Sequence, residues 1–180
     1  MKKQELLILV DDNDQPIGKL EKSEVHQSGL LHRAFSVFIF NSKGELLLQQ
    51  RADEKYHSAG LWSNTCCSHP HFGEKITDAV NKRLKEEMGM SCKVEFAFSF
   101  IYKAKFDNGL TEYEFDHVFW GVTDETPKPE KTEVQNWKYM DFANLEKDIK
   151  LNAQDYTVWL SLCFKEVALH LKEFIPYKTS

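Results

Sequence analysis

Residues 46–51 read Leu46-Leu47-Leu48-Gln49-Gln50-Arg51, three consecutive leucines directly after a turn. A strand sends successive side chains to opposite faces, so an unbroken apolar start has to be covered on both sides. A sheet with one wet face cannot meet that demand; helices above and below can. The run before it, Phe35-Ser36-Val37-Phe38-Ile39-Phe40, is a strong strand pattern, and Asn41-Ser42-Lys43-Gly44 supplies the turn between the two.

The remaining segments fill in such an arrangement. Residues 5–10 and 16–21 predict a hairpin around Asp11-Asp12-Asn13-Asp14. That acidic run lacks the glycine and closing glutamate of an EF-hand loop, so it reads as a solvated turn. Residues 24–31 form a linker or helical turn carrying His26. Residues 92–106 and 110–122 form a long hairpin about Asp107-Asn108-Gly109, and residues 135–140 a further strand. A helix follows Gly73-Glu74, with Thr77 as its N-cap and Gly89 just past its end. A short helix over 142–149 and a long one over 154–174 complete the chain, the latter with Val158, Leu162, Val167, Leu169 and Leu171 on its core side. Strands interleaved with helices, several in hairpins, predict an α/β (α+β) fold, a mixed β-sheet between helices. A length of 180 residues suits one domain spanning residues 1–180.

Bulk properties narrow the function. A net charge of −5 argues against a nucleic-acid partner, which needs a basic face. No apolar run approaches eighteen residues, so no membrane span is expected. Cys66, Cys67, Cys92 and Cys163 show no disulfide framework and no signal peptide precedes them, which points to a reduced, cytoplasmic chain. Thirteen phenylalanines and four tryptophans supply a large apolar payload, and some can line a pocket for an apolar ligand.

The densest chemistry lies in Gly60-Leu61-Trp62-Ser63-Asn64-Thr65-Cys66-Cys67-Ser68-His69-Pro70. If this stretch is extended, Cys67 and His69 share one face and Cys66 points the other way. A thiol beside an imidazole can serve as nucleophile, proton donor or metal ligand. A structural zinc knuckle would need a second Cys or His pair at matching spacing, and none is present. Glu112 and Glu114, at i and i+2, put two carboxylates on one strand face, and Asp116 continues it.

On the helix after Gly73, Ile76, Val80, Leu84 and Met88 form the apolar stripe. At 100° per residue Glu87 falls about 20° from Val80, inside that stripe. Arg83 lies on its edge, while Lys82, Lys85 and Glu86 point away. An unpaired buried carboxylate is costly, so Glu87 should meet a cation.

These residues carry a likeness that covers nearly the whole chain. Leu20-Glu21-Lys22, His26, Leu31-His32-Arg33-Ala34-Phe35-Ser36, the stretch from Trp62 to Pro70, Glu86-Glu87-Met88-Gly89, Glu112-Tyr113-Glu114 and Trp159 resemble the type 1 isopentenyl-diphosphate isomerases, a branch of the Nudix fold. The general Nudix pattern wants Arg-Glu where this chain has Lys82-Arg83. That departure speaks against the alternative, a Nudix hydrolase acting on a nucleoside diphosphate derivative, because the missing glutamate normally helps hold the hydrolytic metals.

The resemblance implies conversion of isopentenyl diphosphate to dimethylallyl diphosphate through a tertiary carbocation. It implies Cys67 and Glu114 as the acid/base pair, Tyr102 assisting the carboxyl side, and the π face of Trp159 stabilising the cation. It implies a divalent-metal site of His26, His32, His69, Glu112 and Glu114, suited to Mn²⁺, Zn²⁺ or Mg²⁺. It assigns Lys22, Arg51, Lys55 and Arg83 to the diphosphate, and Glu87 with the Cys67 carbonyl to a substrate-bound Mg²⁺. Asp116 would stand behind the metal ligands. His57, His71 and His117 match nothing in the family and read as surface or structural residues.

Overall fold

The computed structural model describes residues 5–55 and 57–171. Its centre is β3 (His32–Phe40), which runs parallel to β8 (Thr111–Val122) in unbroken register from His32 opposite Glu114 to Phe40 opposite Val122. On its other side β3 pairs antiparallel with three partners in turn. Leu9 of β1 (Leu6–Val10) meets His32, β6 (Cys66–Ser68) meets Phe35 to Val37, and Leu46 of β4 (Leu46–Arg51) meets Phe40. The sheet is completed by β2 (Pro16–Glu21) against β1, β5 (Trp62–Ser63) and β9 (Val134–Met140) against β4, and β7 (Val94–Lys105) against β8.

The leucine run is covered on both faces. Leu46 and Leu48 pack with Phe38 and Phe40 in one apolar layer, under α3 (Phe142–Leu151) and α4 (Val158–Leu171). Leu47 packs with Phe35, Val37 and Ile39 in the other, under α2 (Ile76–Met88). The two adjacent cysteines part the same way: Cys66 is wholly buried in the α2 layer, and Cys67 lies against the α4 layer. One residue of alternation therefore decides which thiol reaches which side of the sheet.

Helix α2 presents the stripe expected of it, with Val80, Leu84, Glu87 and Met88 buried. It ends at Gly89, whose φ of 65° is left-handed. A side chain there would also meet the Lys128 carbonyl oxygen at 2.3 Å, so glycine is required twice over. The start differs from expectation: Lys75 holds the N-cap position without a side-chain bond, and Thr77 is an exposed residue of the first turn. The short segment carrying His26 is a helix, α1 (Lys22–Ser28), with Val25 and His26 buried.

The long C-terminal helix is not continuous. A 3₁₀ turn (Ala153–Asp155) comes first, then Tyr156 bridges to Trp62 and the Thr157 N–H donates to the Trp62 carbonyl at 2.8 Å. These backbone bonds to β5 hold residues 156–157 extended and delay the helix to Val158. Its buried face is Trp159, Leu160, Cys163, Phe164, Val167 and Leu171, whereas Val158, Leu162 and Leu169 are exposed. Helix α4 is apolar around most of its circumference, so periodicity could not choose the face that the sheet would cover. Residues 172–174 of the expected helix lie outside the described residues. Among the described residues, no helix is long and apolar enough to cross a membrane.

Candidate active site

The parallel pairing of β3 with β8 sets His32 beside Glu114, and alternation along β8 brings Glu112 to the same face. Helix α1, entered directly from β2, delivers His26, and the chain leaving β6 delivers His69. The outcome is a cluster of three imidazoles and two carboxylates. Ligand atoms of His26, His32, His69 and Glu112 all lie within 4.8 Å of one another. Glu114 stands just beside that set, its Oε1 2.9 Å from His69 Nε2 and 3.7 Å from His32 Nε2. His32 Nδ1 donates to the Leu30 carbonyl at 2.9 Å, which leaves Nε2 facing the cluster with its lone pair available.

Burial governs the charges here. It lowers His26 from 6.5 to about 4, with the neighbouring His32 and Lys22 charges acting in the same direction and Glu112 opposing. Burial likewise lowers His32, and lowers His69 well below its ordinary range. The two carboxyls divide. Burial alone would raise Glu112, but hydrogen bonds from His57 and Glu114 and the imidazoles around it hold it well below the usual carboxylate range. Burial and then the Glu112 charge push Glu114 well above that range. Tyr102 donates to Glu114 Oε2 at 2.7 Å, and burial followed by the Glu114 charge keeps this phenol protonated far above its ordinary value. Neutral imidazoles beside an ionised carboxylate are the forms that bind a divalent cation. Glu112 Oε2 is buried with no hydrogen-bond partner among the described residues, although His26 Nε2 is 3.4 Å away. The donor set thus fits a metal ion by chemistry, spacing and an acceptor oxygen left over.

Beside this cluster lies a cavity of about 140 Å³. Its wall includes His69, Glu112, Glu114, Tyr102, Cys67, Trp159 and Glu87, together with the four cations Lys22, Arg51, Lys55 and Arg83. Every residue singled out from the sequence as a site residue therefore lies on this cavity or in the imidazole cluster that adjoins it. Burial raises the Cys67 thiol to about 12, against the lowering effect of Arg51. Ser63 Oγ sits 3.7 Å from Cys67 Sγ and also receives Trp159 Nε1 at 2.9 Å and Thr157 Oγ1 at 3.1 Å. The Arg51 guanidinium carbon lies 5.2 Å from the centre of the Trp159 ring, on the π face that a cation would use.

Each cation is held by an internal partner. Arg83 Nη2 donates to Glu87 Oε1 at 2.6 Å, the partner that the helical pattern demanded, and lies 3.6 Å from Glu133. Lys55 pairs with the same Glu133, and Lys22 with Glu5 at 3.3 Å. Arg51 donates to the carbonyls of Ser58 and His57. Arg83 occupies the position where the general Nudix pattern has glutamate, and it neutralises Glu87 instead of adding a second acid there. Deeper along β8, Asp116 accepts from Ser36 Oγ at 2.7 Å, and burial lifts it to about 7.

One expectation is overturned in part. His57 is not a surface residue: its side chain is 8% exposed, it lines the cavity, and its Nε2 donates to Glu112 Oε1 at 3.0 Å. It sits in a loop without periodicity, so only contact in three dimensions could assign it. His71 and His117 do fit a structural reading, His71 bridging to Leu7 and His117 bonding Asp14 at 3.0 Å. Two further residues escaped notice. Gln49 donates to both Glu87 and the Thr65 carbonyl, and Ser63 joins Cys67 to Trp159. Both left a signal, since Gln49 is a polar residue in a doubly covered strand and Ser63 shares the parity of Cys67 and His69.

Comparison with known proteins agrees with this geometry. Residues 30–160 match the NUDIX domain family. A protein of Photorhabdus laumondii named isopentenyl-diphosphate Delta-isomerase 2 is 52% identical over 156 residues, 86% of this chain and 88% of the relative. An isopentenyl-diphosphate Delta-isomerase of Pectobacterium atrosepticum is 46% identical over 168 residues, 93% of this chain and 94% of the relative. Among solved structures, one from Deinococcus radiodurans superposes with a TM-score of 0.76 at 18% identity, over 90% of this chain and 98% of that one, a likeness of fold alone.

Proposed function

The chain belongs to the NUDIX domain family and, within it, to the isopentenyl-diphosphate Delta-isomerases, and from that premise we propose how its cavity moves a double bond. The protein is an enzyme that isomerises isopentenyl diphosphate to dimethylallyl diphosphate. The reaction adds a proton to the terminal alkene carbon, leaves a tertiary cation, and removes a proton from the carbon next to the one bearing the diphosphate. Atoms balance, so the protein needs one group to give a proton and another to take one.

The carrying observation is that Cys67 and the Glu114–Tyr102 pair share one small cavity while standing on different strands, β6 and β8, with β3 between them. Two groups on separate strands can address two carbons of one substrate from different directions. Burial keeps the Cys67 thiol protonated at neutral pH, the form that gives a proton and is left as thiolate. Burial and the Glu112 charge raise the proton affinity of Glu114, which, as the carboxylate it would be with an ion in the cluster, would take the proton removed from the substrate. Tyr102 orients Glu114 by its hydrogen bond and carries a proton at the same place. The Trp159 ring faces the reacting carbons and stabilises the cation, an interaction worth about 2 kcal/mol or more when water is excluded. Ser63 fixes the edge of that ring and stands against the thiol.

His26, His32, His69, Glu112 and Glu114 would hold one divalent ion, Mn²⁺, Zn²⁺ or Mg²⁺. Bound there, the ion supplies a fixed positive charge that orders Glu114 and tunes its acidity. Glu87 and the backbone carbonyl of Cys67 would receive the Mg²⁺ that arrives on the substrate's diphosphate. Lys22, Arg51, Lys55 and Arg83 bind the diphosphate oxygens, exchanging their present acidic or carbonyl partners for the substrate. One domain carries the whole site, and four free thiols suit the reducing cytoplasm.

The test is direct. Incubated with isopentenyl diphosphate and Mg²⁺, the protein yields an acid-labile allylic diphosphate. No allylic product, with phosphate released from a panel of nucleotides, would overturn the reading in favour of hydrolysis.

A further inference from the structure

His57 joins two parts of the site that nothing else described here links. Its Nε2 donates to Glu112 Oε1 at 3.0 Å, the oxygen opposite the one that faces the imidazole cluster. A ring that donates from Nε2 presents Nδ1 as an acceptor, and the Ser58 hydroxyl stands 3.3 Å from it. The ring is seated by packing. It stacks on Phe106 at 5.2 Å between centroids and meets the edge of Trp159 at 6.0 Å.

The backbone of the same two residues is also fixed. The His57 and Ser58 carbonyls accept Arg51 Nη2 and Nε, at 3.3 and 3.2 Å. Ser58 is held at a φ of 50°, a left-handed conformation uncommon for a residue with a side chain. The loop between β4 and β5 carries Lys55 to the cavity, so the segment that presents a diphosphate ligand is fastened to a carboxylate of the metal cluster through one imidazole.

We propose that His57 is a positioning residue: it orients Glu112 toward the metal ion and ties the Lys55 loop to that ion's occupancy. This rests on the reading of the His/Glu cluster as a metal centre. Glu112 has two oxygens and a rotatable carboxyl. With Oε1 held by His57, Oε2 stays turned to His26 and His32, at 3.4 and 3.9 Å. Without that bond only the Glu114 contact restrains the carboxyl, and the ligand set loses a member for part of the time. Partners of this kind typically contribute 10–100-fold to metal affinity.

Two measurements test the inference, neither of them turnover. Mn²⁺ affinity is read by competition with a fluorescent chelator in the wild type, His57→Ala and His57→Gln. Hydrogen exchange of the loop over residues 52–60 is followed with and without Mn²⁺. The wild type binds one Mn²⁺ and the ion slows exchange in the loop. His57→Ala binds 10–100-fold more weakly and its loop no longer responds, while His57→Gln, which keeps a donor, recovers part of both. Equal Mn²⁺ affinity in His57→Ala and the wild type overturns the proposal. So does an equal loss in Ala and Gln variants with the loop response intact, which would assign His57 to packing alone. A wild type that binds no Mn²⁺ instead overturns the metal-centre reading on which the proposal rests.

Discussion

The imidazole–carboxylate cluster and the cation network line one cavity but are built by opposite rules. The cluster stands on strands, on α1 and on the chain just past β6, with His32 and His26 at 0% and 1% side-chain exposure, and burial has shifted the protonation of nearly every member. The cations stand at the end of β4, on the β4–β5 loop and on helices α1 and α2, with Arg83 and Lys55 at 26% and 22%, and each is balanced by Glu5, Glu87, Glu133 or a carbonyl. A dry cluster of neutral imidazoles around an ionised carboxylate is set up in advance for an ion. A wetter network of balanced charges exchanges an internal anion for an external one at little electrostatic cost. The first therefore sets the state of the Glu114 carboxyl, and the second governs whether substrate and Mg²⁺ bind. Cys67 sits where they meet, and substitutions separate the two.

The largest effect is expected at that meeting point. Cys67→Ala removes one of the two proton-transferring groups. Such groups typically contribute 10²–10⁴-fold, and an alkene has no useful basicity, so turnover should drop by about 10⁴ or more with substrate still bound. Near-normal turnover would end the mechanism proposed here. The thiol's value of about 12 also sets a pH expectation. The group stays protonated as pH rises through 8 and 9, so it contributes no alkaline limb below about 11, and an ordinary alkylating reagent modifies it slowly at pH 8.

On the cluster side, His69→Ala should lose bound metal and activity together, by at least a hundredfold in turnover. A chelator should inactivate the wild type, and a divalent ion should restore it. Full metal occupancy in His69→Ala, by elemental analysis, would show that the ligand set is wrong and merge the two regions into one diphosphate site.

How far each region could be read in advance follows the same division. Strand alternation separates Cys67 and His69 from Cys66 and puts Glu112 with Glu114, because period two is enforced by the backbone itself. The helical wheel finds Glu87 for a similar reason. His57 has no such rule acting on it: its neighbours form a loop whose shape comes from contacts with Arg51 and Glu112 that exist only once the chain is folded. Trp159 is assigned through resemblance alone; of the residues expected on the core side of its helix, Val167 and Leu171 are buried, whereas Val158, Leu162 and Leu169 are exposed although they are as apolar as the buried ones. The start of that helix is not legible in the sequence because bonds from Tyr156 and Thr157 to Trp62 of β5 delay it.

The cation side gives a smaller and more selective effect. Glu87→Gln keeps the shape and the Gln49 contact but removes the charge that Arg83 now balances. Turnover should fall roughly tenfold at ordinary Mg²⁺ and recover in part at high Mg²⁺, since loss of a single coordinating charge weakens the ion without abolishing its site. The tighter metal at the imidazole cluster should remain bound. An unchanged Mg²⁺ titration would remove Glu87 from the diphosphate side and leave it a structural partner of Arg83.

The smallest effect is expected one residue from the largest. Cys66 and Cys67 are neighbours in β6, yet Cys66 is fully buried among Val80, Leu84 and Met88, on the side of the sheet away from Trp159. Burial, then the Glu87 charge, keep its thiol protonated as well, so charge state does not distinguish the pair. Position does. Cys66→Ala deletes one sulfur from a packed layer, a change of about 1 kcal/mol in stability, and should leave turnover within about twofold. An epoxide or alkyl-halide analogue of isopentenyl diphosphate carries its reactive carbon to the cavity, so peptide mapping should find the label on Cys67 alone. Label on Cys66 would mean that β6 is turned over, and a one-residue slip of that strand would carry His69 away from Glu114 as well. The analogue therefore tests the register of a three-residue strand, and the mechanism depends on that register.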